Sequence, residues 1–262
     1  MQRTTTPNRP STAGSLGGST AAGAPVGALP ELPERIDLRA GHADLAEKTY
    51  RAVKELIIRR ALGPGEKLTA EGLSQRFGVS RTTAKTALDQ LAAEGLVTVR
   101  PQVGTFVRGL TARDVRAIWD ARLMIETFAA RRGVLAATST QREELQALVA
   151  AMAPTVEGNE YREAEYERSV ALNRRFHELI VETAENDYLL AMYRQLSAHV
   201  HIVDYRSRLG LRRASLGLAE HRAIAEAYAR ADPKLAAAIL KRHIERSRDV
   251  VLQAMAKLGE VL

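Results

Sequence analysis

Four polar side chains stand on helical stripes that are otherwise apolar, and their types are those that ligate cations. Over residues 161 to 184 the inward series reads Tyr166, Val170, Asn173, Phe176, His177 and Ile180, which puts an amide and an imidazole one turn apart on one face. Residues 187 to 208 set His199 among Leu189, Met192, Leu196 and Val203, and residues 215 to 230 set His221 among Leu218, Ile224, Ala225 and Tyr228. Polar groups on such faces need partners. Three imidazoles from three helices, His177, His199 and His221, with Asn173 beside the first, could surround a divalent cation inside a bundle, and Zn, Ni and Mn all suit imidazole-rich ligation. A lone histidine on an apolar face is more often a hydrogen-bonded core residue; the convergence of three is what favours a cation. His243, near Ile239 on the last helical stretch, either lines the same cavity or packs. The chain has no cysteine, which removes thiolate ligands, thiolate catalysis and disulfides together.

A second constellation lies nearer the front, in GVSRTTAKTALDQLAAEGL, residues 78 to 96. Ser80 is placed to cap a helix whose apolar face is Ala84, Ala87, Leu88 and Leu91. The helix start then offers Ser80, Arg81, Thr82, Thr83 and Lys85 to one surface: short hydroxyls, backbone N–H groups without helical partners, and two cations. DNA phosphates and base edges call for that set. Arg81 and Lys85 are long enough to meet guanine O6 and N7 in a major groove. Capping alone would account for the serine and threonines, so the reading depends on what surrounds them.

The surroundings supply a framework. Residues 1 to 40, rich in Thr, Ser, Gly, Ala and Pro without periodicity, read as a disordered tail. From Asp44 a helical stripe of Leu45, Ala52, Val53, Leu56 and Ile57 runs to the breakers in LGPGEKL. A short helix with Ala70, Leu73 and Phe77 inward follows, then the turn FGVS, then a helix from about Arg81 to Ala93. LVTVRPQVGTFVRG alternates as two strands, Val97 to Arg100 and Thr105 to Arg108, around a loop containing Gly104. Three helices and a hairpin make a winged helix over residues 41–109. Beyond it helical stripes run roughly 111 to 137, 140 to 153, 161 to 184, 187 to 208, 215 to 230 and 232 to 258. The fold class is therefore mainly α: a winged helix-turn-helix with a small β-hairpin wing, then an all-helical bundle of six or seven helices over residues 110–262.

Charge follows the same division. The net charge is +7. Residues 44 to 108 hold 11 Lys and Arg against 7 Asp and Glu, while residues 109 to 262 hold 23 against 21. A basic module joined to a nearly neutral one suits a protein that meets a polyanion with one part only. No apolar run approaches the roughly 18 residues that span a bilayer, and the front lacks the charged-then-apolar order of a secretion signal, so the expected compartment is the cytoplasm.

Two resemblances sharpen these readings. PGEKL, SRTT, EGLV and GTFV, spread over residues 44 to 108, resemble the winged-helix domain of GntR-family transcriptional regulators. The resemblance implies DNA contacts by Ser80, Arg81, Thr82, Thr83, Lys85 and the wing residue Gly104. Where that family usually has Arg-Glu-Ala-Leu, this chain has Lys85, Thr86, Ala87 and Leu88, and lysine keeps the charge without the planar fork. ARLMIE at 121 to 126, LNRRFHELI at 172 to 180 and LAEHRAI at 218 to 224 resemble the FCD effector domain of the FadR subfamily. That implies a metal held by an Asp-x-x-x-His pair and two further histidines, beside a small carboxylic acid effector. His177, His199 and His221 are matched to that pattern, while Asn173 stands at the aspartate position; an amide oxygen binds a dication more weakly than a carboxylate. Arg122 is the candidate clamp for an effector carboxylate, its alternative being an ion pair with Glu126 one turn on.

The expected function is that of a ligand-responsive transcriptional regulator, in the family's usual mode a repressor, bound as a homodimer to a pseudo-palindromic operator. Two other classes compete. A metal-dependent hydrolase would use the histidines with an open coordination position, but no general base stands beside them. A DNA-architectural protein without effector would bind irrespective of sequence and of small acids.

Overall fold

The computed structural model describes residues 42–59, 61–156, 163–207 and 211–258. The tail expected over residues 1 to 40 lies outside the described residues.

The front module is built around the helix that starts at Ser80. Helix α1 (His42–Ile58) buries Ala46, Tyr50, Val53, Leu56 and Ile57 at helical spacing. Helix α2 (Ala70–Phe77) begins where the Thr69 hydroxyl accepts the Gly72 N–H at 3.0 Å, and stops at Gly78, whose φ of 69° closes the turn. Helix α3 (Arg81–Ala93) then buries Ala84, Ala87, Leu88 and Leu91, and both earlier helices pack against it. The expected hairpin is present as β2 (Val97–Arg100) and β3 (Gly104–Val107), antiparallel, with Val97 opposite Val107 and Arg100 opposite Gly104. The sheet has a third strand that the sequence reading lacks. Strand β1 (Lys67–Leu68) pairs with β3, giving the order β1-β3-β2. Two residues cannot show an alternation, so the pattern left no trace of it.

The rear module holds six helices among the described residues: α4 (Ala112–Ala136), α5 (Ser139–Val156), α6 (Glu163–Glu182), α7 (Asp187–Ser207), α8 (Leu211–Ala229) and α9 (Pro233–Leu258). A capping box starts α4. The Thr111 hydroxyl accepts the Asp114 N–H, and the Asp114 carboxylate accepts the Thr111 N–H at 2.9 Å. The same carboxylate pairs with Arg108 at 2.6 Å, which ties the exit of the wing to the first turn of the bundle. Helix α4 runs along α9 and also meets α6 and α7, while α5 lies between α6 and α8. At Gly133 on α4 a Cβ would sit 2.0 Å from Thr183 Oγ1 and 2.9 Å from the Thr183 carbonyl carbon, just past the end of α6. Only glycine fits that crossing.

Candidate DNA face and metal centre

At the start of α3 the structure separates residues that the sequence had grouped. Ser80 is extended, and its Oγ accepts the Thr83 N–H at 3.0 Å, as an N-cap should. Arg81, Thr82 and Lys85 are exposed on the adjoining surface. Thr83 is not. It is 1% exposed and its hydroxyl lies 2.8 Å from Ser80 Oγ, so it completes the cap from inside and presents nothing to a ligand. The reason is the helical period: Thr83 falls on the face of Ala84 and Ala87, turned away from Thr82. Arg81 reaches back to Glu71 on α2 at 2.6 Å, a bridge between two exposed side chains. Such a pair is held weakly and yields readily to a stronger anion.

The wing turns sharply through Pro101, Gln102 and Val103, with Gln102 at φ 60° and Gly104 at φ 139°. A Cβ on Gly104 would fall 2.7 Å from Lys67 Cε on β1. That atom is the mobile end of a lysine and could yield, so it is the φ of 139° that calls for glycine here, whether or not the Gly104 backbone meets DNA. Arg100 lies with its guanidinium 4.8 Å from the Phe106 ring centre, while Val99 and Val103 stand exposed on the wing.

In the bundle, three imidazoles converge, but one of the three differs from expectation. His177 on α6, His221 on α8 and His243 on α9 are all buried, and each offers a nitrogen within 4.8 Å of the others. His177 and His221 approach through their Nε2 atoms at 3.3 Å. His199 is elsewhere. Its Nε2 is 3.5 Å from the Gly95 carbonyl, at the turn that follows α3. Burial holds its pKa below the usual value, against the pull of the Gly95 carbonyl. The stripe read on α7 is only partly inward, since Met192 on it is 59% exposed and His199 is half-buried, and periodicity could not say which neighbour His199 meets: at that level α7 faces the front module. His243 takes the third place instead.

Two carboxylates stand behind the imidazoles. His177 Nδ1 donates to Glu126 Oε2 at 2.6 Å, and His243 Nδ1 donates to Glu220 Oε2 at 2.9 Å. Glu126 also accepts from Arg122 Nε one turn earlier on α4, and Arg122, Glu126 and His177 are 2%, 0% and 1% exposed. The ion pair weighed for Arg122 is thus realised, and an effector carboxylate reaching Arg122 must share it with Glu126. Burial pushes the Glu126 pKa up, with Arg122 pulling the other way. At Glu220 burial acts in the same direction, but the His243 hydrogen bond and the charges of Arg246 and Arg242 outweigh it, so its pKa lies below the usual range. His177 is held well below its usual value by burial first, then by Arg122 and His243. His221 is lowered in the same way by burial, then by its two neighbouring rings. Both rings are therefore neutral and able to donate lone pairs. Asn173 sits one turn before His177 on α6 and is half-buried.

The model of the gntR family of bacterial regulatory proteins matches residues 45–107, and that of the FCD domain matches residues 117–246. The chain is 30% identical over 177 residues to the uncharacterized HTH-type transcriptional regulator YdhC of Bacillus subtilis strain 168, covering 68% of this chain and 77% of the relative. It belongs to the GntR family of transcriptional regulators, with an FCD domain. A second relative is the HTH-type transcriptional repressor RspR of Escherichia coli K12, 26% identical over 207 residues that cover 79% of this regulator and 89% of RspR. The solved structure of E. coli McbR/YncC superposes with a TM-score of 0.68 at 20% identity, over 80% of this chain and 97% of that one, a likeness of fold. These relatives are transcriptional regulators and not enzymes, which removes the hydrolase alternative.

The regulator's histidine centre fits a divalent cation on its own geometry. Two nitrogens bound tetrahedrally at the usual zinc distance stand about 3.3 Å apart, which is the spacing between His177 and His221. Glu126 and Glu220 assign the proton of His177 and His243 to Nδ1, leaving both Nε2 atoms as lone-pair donors. His221 Nδ1 is buried without a hydrogen-bond partner. Glu220 escaped the sequence reading because a charged residue on a helix is read as surface, and Glu126 was read only as the alternative partner of Arg122, not as a partner of His177. Arg122 and Glu126 lie one turn apart on the stripe of Trp119, Ile125 and Ala129, where two opposite charges belong only as a pair.

Proposed function

We propose that this regulator represses transcription in the cytoplasm as a homodimer on a pseudo-palindromic operator, and that a small carboxylic acid bound in the helical domain, beside a divalent cation, alters its grip on DNA. The observation that carries the reading is the joining of two chemistries in one chain: an exposed helix start bearing Arg81, Thr82 and Lys85, and a buried imidazole cluster backed by Arg122 and Glu126. The first meets phosphates and base edges; the second suits a cation and an anion together. His177, His221 and His243 would hold the cation, of the zinc, nickel or manganese class, with Asn173 a further candidate ligand. When bound, the cation supplies a Lewis-acidic contact for a carboxylate, and Arg122 supplies a planar cationic one.

A repressor role is supported by the relative RspR, itself named a repressor. A dimer is supported by an uncovered apolar stripe. Met124, Phe128 and Leu135 are 73%, 54% and 66% exposed, and fall within about 40° of one another on α4 at 100° per residue. Tyr188 and Met192, one turn apart on the neighbouring α7, are exposed as well. A second copy offering the same stripe would cover both and set two α3 helices on one duplex. Control by an effector is supported by the contacts linking the modules, His199 with the Gly95 carbonyl and Arg108 with Asp114. The cytoplasmic reading is in keeping with the absence, among the described residues, of any helix long and apolar enough to cross a membrane.

Selecting bound DNA from a random pool, with and without added Zn²⁺ and a panel of small carboxylic acids, tests the whole reading. Enrichment of a two-fold symmetric site whose recovery falls with one acid is the expected outcome. Recovery without sequence preference, indifferent to every acid, would instead identify an architectural protein.

A further inference from the structure

The cation reading leaves one puzzle. Position 173 carries an amide where the family resemblance implies aspartate, so the ligand set is neutral. Three neutral imidazoles and an amide hold a dication less firmly than a set containing a carboxylate. Yet two glutamates lie one bond further out, each hydrogen-bonded to the far nitrogen of a cluster imidazole.

The two supports are built alike. In the first, Arg122 on α4 pairs with Glu126, and Glu126 accepts from His177 Nδ1 at 2.6 Å. In the second, Arg246 on α9 pairs with Glu220 at 2.9 Å, and Glu220 accepts from His243 Nδ1 at 2.9 Å. Each is a chain of guanidinium, carboxylate and imidazole pointing at the same centre. An acceptor at Nδ1 forces the ring proton there, so the lone pair is on Nε2. Such a partner also fixes the ring plane and raises the basicity of the ligating nitrogen. His221 has no comparable support. Its Nδ1 is unpartnered, and its other edge meets His177 and Phe176, the latter ring 4.6 Å away.

We propose that Glu126 and Glu220 are the positioning residues of the metal centre: from outside the ligand set they supply the negative charge that Asn173 does not, and they hold His177 and His243 with Nε2 facing the cation. The inference rests on the cation reading of the cluster. It divides the labour within the centre. His177 and His243 are preset, whereas His221 depends on its neighbours for orientation. It also places the effector clamp and the centre on one carboxylate, since Glu126 joins Arg122 to His177 directly.

The test uses the full chain, stripped of metal with a chelator and titrated with Co²⁺, followed by its visible absorption. Glu126→Gln and Glu220→Gln keep size while removing charge. Each is expected to weaken Co²⁺ binding by about 10–100-fold with all three histidines in place and with the helical circular dichroism unchanged. Binding within about threefold of the parent in both variants would refute the positioning role while leaving the metal reading standing. A parent chain that takes up no Co²⁺ would refute both. Because Glu126 is fully buried and its substitution puts folding at risk, ring-nitrogen NMR on the metal-free parent gives an independent answer. His177 and His243 should each show a protonated Nδ1 and a bare Nε2, and the reverse tautomer at either ring would overturn the proposal.

Discussion

The start of α3 and the centre between α6, α8 and α9 solve opposite problems. At the first, Arg81, Thr82 and Lys85 come from five consecutive positions and stand in water, where an ion pair such as Arg81 with Glu71 is easily exchanged for a phosphate or a base. At the second, Arg122, Glu126, His177 and His221 come from positions as much as 99 apart, and are sealed from water, where every polar atom without a partner is costly. The surface site depends on local sequence and can be altered residue by residue. The buried one depends on the packing of whole helices, and its members stand or fall together.

The sharpest way to break this contrast is to remove one partner from each. Glu126→Ala leaves Arg122 buried beside an empty space and is expected to destabilise the fold by about 3–5 kcal/mol, read from urea unfolding. If the midpoint hardly moves, Arg122 has solvent access and the buried chain is not sealed. Arg81→Ala is expected to leave unfolding untouched and to weaken operator binding by about 1–3 kcal/mol, with relaxed preference at one base. Equal binding to operator and scrambled DNA before and after the change would remove Arg81 from base readout.

The pH dependence separates the regions further. His177 and His221 lie well below the usual 6.5 when folded, by burial first, whereas in the unfolded chain they titrate near that value. Above it neither state holds the proton and stability is full. As the pH falls below it, the unfolded chain takes up protons the folded chain refuses, so stability falls until the folded values are reached. For the metal-stripped regulator each ring contributes at most about 1.4 kcal/mol per pH unit. A urea midpoint unchanged between about pH 7.5 and pH 5.5 would mean that both rings are hydrated.

The smallest effect lies inside the surface site itself. Thr82→Ala and Thr83→Ala differ by one position and should differ in kind. The first is expected to reduce DNA affinity at constant melting temperature. The second is expected to cost stability, by about 1 kcal/mol as for a lost cap contact, with the base preference kept. A shared phenotype would mean that the cap and the DNA face are one feature.

What the sequence made legible follows the same line. The winged helix was readable because its signals are local: the Ser80 cap, the FGVS turn, and the alternation of β2 and β3. The bundle's helices were readable from their stripes, and His177 and His221 from their place on them. The errors arose where a side chain's neighbour decides its role. His199 faces inward, but toward Gly95; His243 was seen and left undecided; Glu126 was weighed only as a partner of Arg122, and Glu220 looked like a surface charge. Helical periodicity gives the direction of a side chain relative to its own axis and carries no information about which element lies opposite. Thr83 is a different case: capping was weighed for the threonines together, and only the structure separates Thr83, buried against the Ser80 cap, from exposed Thr82.

Gly133 has a consequence for motion. With Thr183 pressed against its α-carbon, α4 and the end of α6 can neither part nor slide there without losing the contact or colliding. The helix carrying Arg122 and Glu126 and the helix carrying His177 are pinned together at that end like the blades of scissors. A rearrangement at the centre that kept this contact would have to turn α4 about that point, with Thr111, Arg108 and the wing at the far end of the lever.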